Sequence, residues 1–424
     1  MIPGEFEEGK IALSPISQPR LLSFTLDSWT ALGGEISISL RDQIVVLVGR
    51  NGAGKSAILE GFEAVSSWAV GKLGRFKNLR QFDIDSIPKR LKIEVSTPTD
   101  RQLQYSYEIV VLPPSSDELG LSLDDSSPGG SEESQYSWND RCQYMDGEQE
   151  ILWTTEMGVT TFRDGNVTIL GSTHTLRSTN LSWSENPARK QWDEMQWIYT
   201  VLSEVRLLGK TPMRQAATRY RSLLPISGKR LVSHSVFPFQ EVDRLARQII
   251  RLKSEELHEL EEICQRIGLG EHITIQKFFA HQDIQETTEP NHEEYIASVL
   301  FDGVNIGLLS DGTLRILKLL IELIISPLCA TTIIEEPETQ IHPGMLAKLL
   351  NEIETYTFGQ NLVISTQSPQ VVSWTSPDKI NWVYRDQGRT IVQKLDADQI
   401  QKIHEYLCEE GDLGEWLYSG ILDD

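Results

Sequence analysis

The chain has 424 residues, of which 39% are apolar and 10 are tryptophan, so it can build a sizeable core and global disorder is excluded. Its formal net charge of -22, from 61 acidic and 39 basic residues, excludes a protein that coats nucleic acid over much of its surface. The longest apolar stretch, residues 314–328, contains three charged side chains and is not a membrane span. With no signal-like N-terminus and four scattered cysteines without zinc spacing, we expect a cytoplasmic protein.

The first predicted elements are strands. Between residues 36 and 40, isoleucine and leucine alternate with serine, which predicts a strand with one solvated face. Residues 43–48 (QIVVLV) are nearly all apolar and β-branched, as in a strand buried on both faces. The next predicted elements are a helix and two strands, at residues 56–65, 91–95 and 105–112.

An abrupt change of composition follows. Residues 115–135 hold seven serines, six acidic residues and no lysine or arginine, so they cannot bury enough apolar surface to offset their ordering entropy. We interpret residues 113–148 as an acidic, serine-rich disordered insertion. A solvated loop is favoured over a phosphorylated regulatory segment.

The rest of the chain returns to regular patterns. Residues 151–170 resemble a β-hairpin with its turn at residues 164–165. Residues 192–268 predict mostly helix, because apolar side chains recur at three- and four-residue steps among charged ones. The last predicted elements are helices at 313–325 and 345–355 and strands at 330–334 and 361–365. This return to strand–helix–strand predicts a parallel sheet completed by segments distant in sequence.

One motif lies between the buried strand and the first helix. It is formed by Gly49, Arg50, Asn51, Gly52, Ala53, Gly54, Lys55 and Ser56. The pattern GxxxxGK[ST] in this context predicts a phosphate-binding loop, and a glycine turn without function is disfavoured. Backbone N–H groups would cradle the phosphates, Lys55 would reach the β- and γ-phosphates, and the Ser56 hydroxyl would bind Mg²⁺.

A second motif, TTIIEEPE at residues 331–338, is an apolar strand that ends in carboxylates. Phosphoryl transfer to water needs one acid to hold hydrated Mg²⁺ and another to orient the attacking water. We assign the metal to Glu335 and the water to Glu336. The alternative, a solvated acidic loop, is disfavoured because the same chain carries the phosphate-binding loop.

A third motif, LLSDGTLR at residues 308–315, precedes a helix. Ser310 is placed as the helix N-cap, and capping alone would explain Ser310 but not Gly312. In the functional interpretation, this helix N-terminus is an anion site that binds the γ-phosphate held by a partner subunit.

In this order, GRNGAGKS, LSDGTLR, IIEEPE and STQS resemble the ABC-type ATPase heads of the SMC, RecF and OLD group. Within that group the chain is similar to prokaryotic single-head ATPases of anti-phage and toxin–antitoxin loci. The runs EPETQIHP, at residues 336–343, and EGDLGEWL, at residues 410–417, also resemble this branch. The resemblance implies that Ser310 and Gly312 belong to a signature loop that completes the partner's site. It also implies that Glu335 is the Walker B acid and that Glu336 is the catalytic glutamate.

Two departures from the group matter. Gln367 stands where many members have a switch histidine, and glutamine can donate a hydrogen bond but cannot carry a proton. Gln367 is therefore a catalytic candidate, and hydrolysis is expected to be slow or coupled to a partner. Only 56 residues follow Ser368, too few for the nuclease domain of OLD proteins, so nuclease activity would come from another protein.

The expected fold is α/β: an ABC-type head with an antiparallel N-terminal lobe, a mainly parallel core sheet and a helical insertion. The predicted regions are an N-terminal ATPase lobe (1–112), the acidic insertion (113–148), a β-hairpin and helical insertion (149–285), a C-terminal ATPase lobe (286–385) and a C-terminal strand and helix (386–424). ATP and Mg²⁺ are the expected cofactors, and ATP is preferred over GTP because no guanine-selective NKxD element occurs.

We expect ATP to close a head-to-head homodimer or a higher even oligomer, and hydrolysis to open it. The sequence does not identify the residue that contacts adenine, and Trp29 and Phe24 are two candidates.

Two functions remain. One is a sensor ATPase that holds or releases an effector, a nuclease or toxin encoded nearby, in a defence or toxin–antitoxin module. The other is a DNA repair or recombination ATPase acting on DNA ends, which long coiled coils would favour and the sequence lacks.

Two basic segments bear on the choice of partner. Residues 205–240 contain seven cations and no acid: Arg206, Lys210, Arg214, Arg219, Arg221, Lys229 and Arg230. This basic run is interpreted equally well as a solvated face or as a surface for nucleic acid or a partner protein. A weaker cluster, interpreted as a surface helix or loop, contains Lys72, Arg75, Lys77 and Arg80.

Overall fold

The computed structural model describes residues 18–27, 29, 32–69, 88–111, 136–147, 150–156, 159–165, 167–169, 193–208, 224–227, 230–231, 241–279, 294–325, 331–396, 398–399 and 401. Strands in these residues are β1 (Arg20–Asp27), β2 (Ile36–Ser39), β3 (Ile44–Val48), β4 (Arg90–Ser96), β5 (Gln102–Val111), β6 (Tyr136–Tyr144), β7 (Ile151–Glu156), β8 (Val159–Phe162), β9 (Val167–Ile169), β10 (Val205–Leu208), β11 (Leu224–Ser227), β12 (Arg230–Leu231), β13 (Ile273–Phe279), β14 (Glu294–Phe301), β15 (Val304–Asn305), β16 (Thr331–Glu335), β17 (Asn361–Thr366), β18 (Ile380–Asp386) and β19 (Arg389–Lys394). Helices in these residues are α1 (Lys55–Ala69), α2 (Asp193–Ser203), α3 (Glu241–Arg251), α4 (Ser254–Ile267), α5 (Asp311–Ile324), α6 (Pro343–Tyr356) and α7 (Pro369–Trp374). Two short 3-10 turns span Ile306–Leu308 and Pro377–Lys379.

An eight-stranded antiparallel sheet forms the first layer, in the order β2-β1-β4-β5-β6-β7-β8-β9. Along β5, Leu103, Tyr105 and Tyr107 are buried while the intervening side chains are less so, which is the alternation of a sheet with one core face. That face packs on α1 and α2 in one hydrophobic cluster. The predicted antiparallel N-terminal lobe is confirmed.

The second layer is the core sheet, in the order β10-β16-β17-β3-β18-β19. It is parallel from β10 to β18, and β19 returns antiparallel at the edge. Ile333 and Ile334 are both fully buried but enter different hydrophobic clusters, because neighbouring side chains of a strand point to opposite faces. The predicted mainly parallel core is confirmed.

The register of the core sheet positions the predicted site. Glu335 at the end of β16 pairs with Ser365 of β17, and Thr366 of β17 pairs with Val48 of β3. The three strands therefore end at one edge of the sheet. In open α/β sheets the carboxyl ends of the strands form the ligand-binding edge.

A third, five-stranded sheet has the order β12-β11-β14-β13, with β15 paired to β14. Its inner face packs with α3, α4, α5 and α6 in the second hydrophobic cluster, on the opposite side of the core sheet from the antiparallel layer. The helical part predicted within residues 192–268 is present as α2, α3 and α4.

The structure departs from the predicted segments in three places. Strand β6 lies inside the predicted acidic insertion and pairs with β5 over nine residues; buried polar Asp140 and Gln143 dilute its apolar pattern. Residues 151–169 form three strands rather than one hairpin, and they extend the antiparallel sheet. The predicted helical stretch also contains three strands: β10 is the edge of the core sheet, and β11 and β12 belong to the third sheet.

Several sequence predictions concern residues outside the described part of the chain. These are the acidic segment 115–135, the cluster at 72–80, most of the basic run, and the C-terminal run 410–417. Within the described part, no helix is both long and apolar enough to cross a membrane.

Candidate functional site

The P-loop, residues 49–56, connects β3 to α1 at the ligand edge of the core sheet. Gly54 has φ +109°, a conformation that side chains rarely adopt, so this turn requires glycine. A Cβ atom at Gly49 would collide with the main-chain carbonyl of Val383 on β18. The P-loop is therefore shaped by its own glycines and by close packing on the neighbouring strand.

Lys55, the first residue of α1, is only 6% exposed. Its ammonium group donates to the carbonyls of Gly49, at 2.5 Å, and Arg50, at 3.2 Å. Burial lowers the pKa of Lys55, and the nearby carboxylates of Glu336, Glu338 and Glu335 oppose that shift. The cation thus lies inside the P-loop and faces three acids.

Ser56 and Glu335 meet directly. The Ser56 hydroxyl donates to Glu335 Oε1 at 2.5 Å, which joins the P-loop to the end of β16. A hydroxyl and a carboxylate are the hard oxygen ligands that Mg²⁺ prefers, and Mg²⁺ commonly takes its other ligands from water and substrate phosphates. The donor set fits the predicted metal.

Glu336 is the second residue of the carboxylate loop, which we define as residues 335–340. Its φ is +45°, unusual for a residue with a side chain, and its N–H donates to Ser365 O at 2.9 Å. Gln367 Nε2 donates to Glu336 Oε1 at 3.3 Å. The structure therefore brings together the two residues predicted as catalytic.

Glu338 is a site residue to which sequence reasoning assigned no role. Its Oε1 accepts hydrogen bonds from Thr366 Oγ1, at 2.8 Å, and from the N–H of Gln367, at 3.1 Å. Glu338 thus ties the carboxylate loop to the end of β17, where Gln367 begins the next loop. The sequence feature that could have indicated this role is the third glutamate of the EEPE run, residues 335–338.

The signature segment, residues 308–315, is positioned by α5. Ser310 caps this helix, since its hydroxyl accepts from Thr313 N–H at 3.1 Å. A Cβ at Gly312 would collide with the carbonyl of Gln340, so a glycine here also allows α5 to pack closely on the carboxylate loop of its own chain. Ser310 is exposed, and no hydrogen bond joins it to residues 49–56, all of which the structure describes.

Two further supports were not predicted. Arg315 on α5 bonds to main-chain carbonyls of the carboxylate loop. Burial lowers the pKa of Arg315, and Glu338, Glu336 and Glu335 counteract that shift. On the other side of the site, the buried Thr390 of β19 donates its hydroxyl to Ala53 O of the P-loop at 3.1 Å.

The two aromatic candidates for adenine contact differ in their burial. Phe24 is fully buried and stacks on Phe62 with ring centroids 3.7 Å apart, so it faces the core and is not available to contact adenine. Trp29 is half-buried, and its indole N–H donates to Ala57 O on α1 at 3.1 Å. Trp29 stays a candidate.

Two cations of the basic run lie in the described part of the chain. Arg206 is on β10, and its guanidinium lies 3.3 Å from a Glu322 carboxylate oxygen and 3.5 Å from one of Glu204. Arg206 is therefore neutralised by its own chain. Arg230 lies on β12.

Comparison with known proteins finds a family model that matches part of the chain and a set of similar solved structures. Residues 211–373 match a family model described as "AAA domain, putative AbiEii toxin, Type IV TA system", and this range includes the signature segment and the carboxylate loop but not the P-loop. No curated protein matches the chain.

Among solved structures, three SMC heads are similar. An SmcHead bound to the C-winged helix domain of ScpA has 12% identity and a TM-score of 0.41, covering 90% of this chain and 99% of that one. An Smc head with an extended coiled coil, bound to the C-terminal domain of ScpA from Pyrococcus furiosus, has 12% identity and a TM-score of 0.41, covering 92% and 100%. The SMC head of Thermotoga maritima has 11% identity and a TM-score of 0.38, covering 89% and 100%.

Proposed function

We propose that this chain, an ABC-type P-loop ATPase head, binds ATP with Mg²⁺ at the edge of its core sheet and hydrolyses it between two heads that meet face to face. The observation that carries the proposal is the hydrogen bond between Ser56 and Glu335. It joins the two halves of a nucleotide site that lie far apart in the sequence. Strand register brings them together, so the contact follows from the fold itself.

Each residue of the proposed site has a separate role in binding or hydrolysing ATP. On binding ATP, Lys55 would exchange its P-loop carbonyl partners for the β- and γ-phosphates, and backbone N–H groups of the P-loop would hold the same phosphates. Ser56 and Glu335 would hold Mg²⁺, which neutralises phosphate charge when bound. Glu336 would orient the attacking water.

Gln367 completes the arrangement from the neighbouring strand. Its side-chain amide donates to Glu336, so it can hold the Glu336 carboxylate or donate to the γ-phosphate, but it cannot accept a proton as histidine can. We therefore infer slow turnover that depends on the carboxylate loop.

The exposed position of the signature segment supports nucleotide sites that are shared between two heads. Ser310 is exposed, caps α5 and has its side-chain hydrogen bonds to Thr313 of that helix rather than to the P-loop of its own chain. A second head can receive this N-terminus over its γ-phosphate. Two heads would then form two shared sites.

The cellular role that we propose is control of a partner effector, a nuclease or toxin, in an anti-phage defence or toxin–antitoxin module of the cytoplasm. The match of residues 211–373 to a family described with a Type IV toxin–antitoxin system supports this role over DNA repair. The pairing of Arg206 with Glu322 and Glu204 weakens the case for nucleic-acid binding at that end of the basic run.

The test uses Glu336→Gln, which keeps the size of the side chain and removes its charge. With ATP and Mg²⁺ this variant should accumulate as a dimer by light scattering, whereas Lys55→Ala should stay monomeric. A Glu336→Gln protein that stays monomeric at saturating ATP would refute closure of two heads around nucleotide.

A second measurement separates the two roles. If the chain acts on DNA, DNA should raise the ATPase rate, and the effect should fall steeply with salt. If it controls an effector, the product of a neighbouring gene should co-purify with the Glu336→Gln dimer while DNA leaves the rate unchanged.

A further inference from the structure

Arg315 connects the signature helix to the carboxylate loop of the same chain. It lies on α5 between buried Leu314 and Ile316, one turn after the helix begins. Its guanidinium donates to the carbonyls of Glu335 at 2.6 Å, of Glu336 at 2.8 Å and, more weakly, of Thr339 at 3.4 Å. A charged side chain on a largely apolar helix is thus bonded to main-chain atoms of one short loop.

The first two carbonyls flank a single Cα atom. The Glu335 carbonyl belongs to the peptide unit before the Glu336 Cα, and the Glu336 carbonyl belongs to the peptide unit after it. One guanidinium nitrogen, Nη2, donates hydrogen bonds to both carbonyls. The N–H of the first peptide unit is also held, by Ser365 O at 2.9 Å.

These contacts act on a backbone conformation that is unfavourable in isolation. Glu336 has φ +45°, where a Cβ crowds the main chain, and such conformations persist only when the surroundings hold them. Because both flanking peptide planes are fixed, the Cα–Cβ direction of Glu336 is fixed as well. The orientation of its carboxylate toward Gln367 depends on that direction.

We propose that Arg315 is a positioning residue for Glu336: it holds the backbone on both sides of this glutamate and thereby aims its carboxylate. This inference rests on the proposed function, in which Glu336 orients the attacking water. Arg315 itself need not touch nucleotide. Arginine suits the task because its planar fork presents several donors in fixed directions, whereas lysine offers a single mobile ammonium group.

The main test is Arg315→Lys, which keeps the positive charge and loses the fork. We expect kcat to fall by about 10²-fold, the loss typical of a reacting group misplaced by about 1 Å. KM and the Kd for ATP should stay within about two-fold, because Arg315 acts through Glu336 rather than on the phosphates. Arg266→Lys is the matched control, because Arg266 on α4 donates to the carboxylate of Glu352 at 2.9 Å, away from the carboxylate loop. The Arg266→Lys variant should have the kcat of the wild type.

A double variant distinguishes positioning from general support. In single-turnover assays, Glu336→Gln combined with Arg315→Lys should be no slower than Glu336→Gln alone, since Arg315 has nothing left to aim. A further drop of about 10²-fold in the double variant would overturn the proposal. So would wild-type kcat in Arg315→Lys. If Arg315→Lys proves unstable by thermal melting, Arg315→Gln, which retains a planar donor, serves in the same comparison.

Failure of the proposed function has a different signature. If Glu336→Gln turns over ATP at the wild-type rate, the assignment of Glu336 is wrong and the role of Arg315 falls with it. If Glu336→Gln is inactive and Arg315→Lys is normal, only the inference about Arg315 is wrong.

Discussion

The P-loop and the carboxylate loop lie at the same edge of the core sheet, but different forces hold them in shape. The P-loop takes its conformation from glycines that adopt positive φ without strain, such as Gly54 at +109°. In the carboxylate loop the positive-φ residues are Glu336, at +45°, and Gln340, at +65°, which carry side chains. That loop is held by Arg315 and Glu338 instead.

This contrast predicts which substitutions should disturb each of the two loops. A loop whose glycines adopt positive φ without strain depends less on hydrogen bonds from other elements, so variants that remove such hydrogen bonds should disturb it less. A loop held in a strained conformation by other elements should respond strongly to changes in those elements. Nucleotide binding should therefore be robust, and hydrolysis should be easily lost.

The largest effect is expected within the P-loop itself. Lys55→Ala should raise the Kd for ATP by about 10³-fold, because it removes a buried cation from the phosphate site, a change worth about 3–5 kcal/mol. Calorimetric titration with ATP measures this. Lys348→Ala, an exposed cation on α6, is the control and should bind ATP normally. Unchanged affinity in Lys55→Ala would refute the assignment of the phosphate site.

Hydrolysis without loss of binding is the next expected effect. Glu336→Gln should lower kcat by about 10²-fold or more, the usual contribution of a group that acts on the attacking water, and leave ATP affinity nearly unchanged. Glu335→Gln should instead weaken the dependence of binding on Mg²⁺, since Glu335 bonds to Ser56. If Glu335→Gln traps an ATP dimer while Glu336→Gln turns over normally, the two roles are reversed.

This comparison also explains what could be predicted from the sequence. The P-loop is a contiguous run of residues between a strand and a helix, so its pattern already predicts its shape. Glu335 and Glu336 are also predictable from a contiguous run, because they are acids at the end of an apolar strand. Their register beside the P-loop depends on β17 and β3, which the alternation of strand and helix could suggest only in outline.

The residues that hold the site were harder to predict. Arg315 and Thr390 bond to main-chain carbonyls, which are present at every position and leave no pattern in the sequence. The positive φ of Glu336 is imposed by tertiary contacts and has no local signal. The burial of Phe24 could not be predicted either, because a strand pattern does not tell which face meets the core.

A moderate effect is expected from Glu338→Gln. The Glu338 carboxylate accepts from Thr366 and from the N–H of Gln367, and charge-assisted hydrogen bonds are about twice as strong as neutral ones. We expect kcat to fall by about ten-fold, equivalent to about 1.4 kcal/mol, with ATP affinity unchanged. Glu354→Gln, at an exposed position on α6, is the control. Wild-type kcat in Glu338→Gln would show that the carboxylate loop does not need this contact.

The smallest effect should come from the external support of the P-loop, and it is the sharpest test of the comparison. Thr390 donates its hydroxyl to Ala53 O at 3.1 Å, and Thr390→Val removes this bond while keeping the shape of the side chain. An ordinary hydrogen bond contributes about 1 kcal/mol, so if the whole loss falls on the P-loop, the Kd for ATP rises by about five-fold at most. Thr390→Ser keeps the hydroxyl and should bind ATP like the wild type. We expect kcat at saturating ATP to stay normal in both variants, because the carboxylate loop is not involved. If Thr390→Val instead lowers kcat as much as Glu338→Gln does, the P-loop depends on its neighbours as strongly as the carboxylate loop, and the contrast between the two loops is wrong.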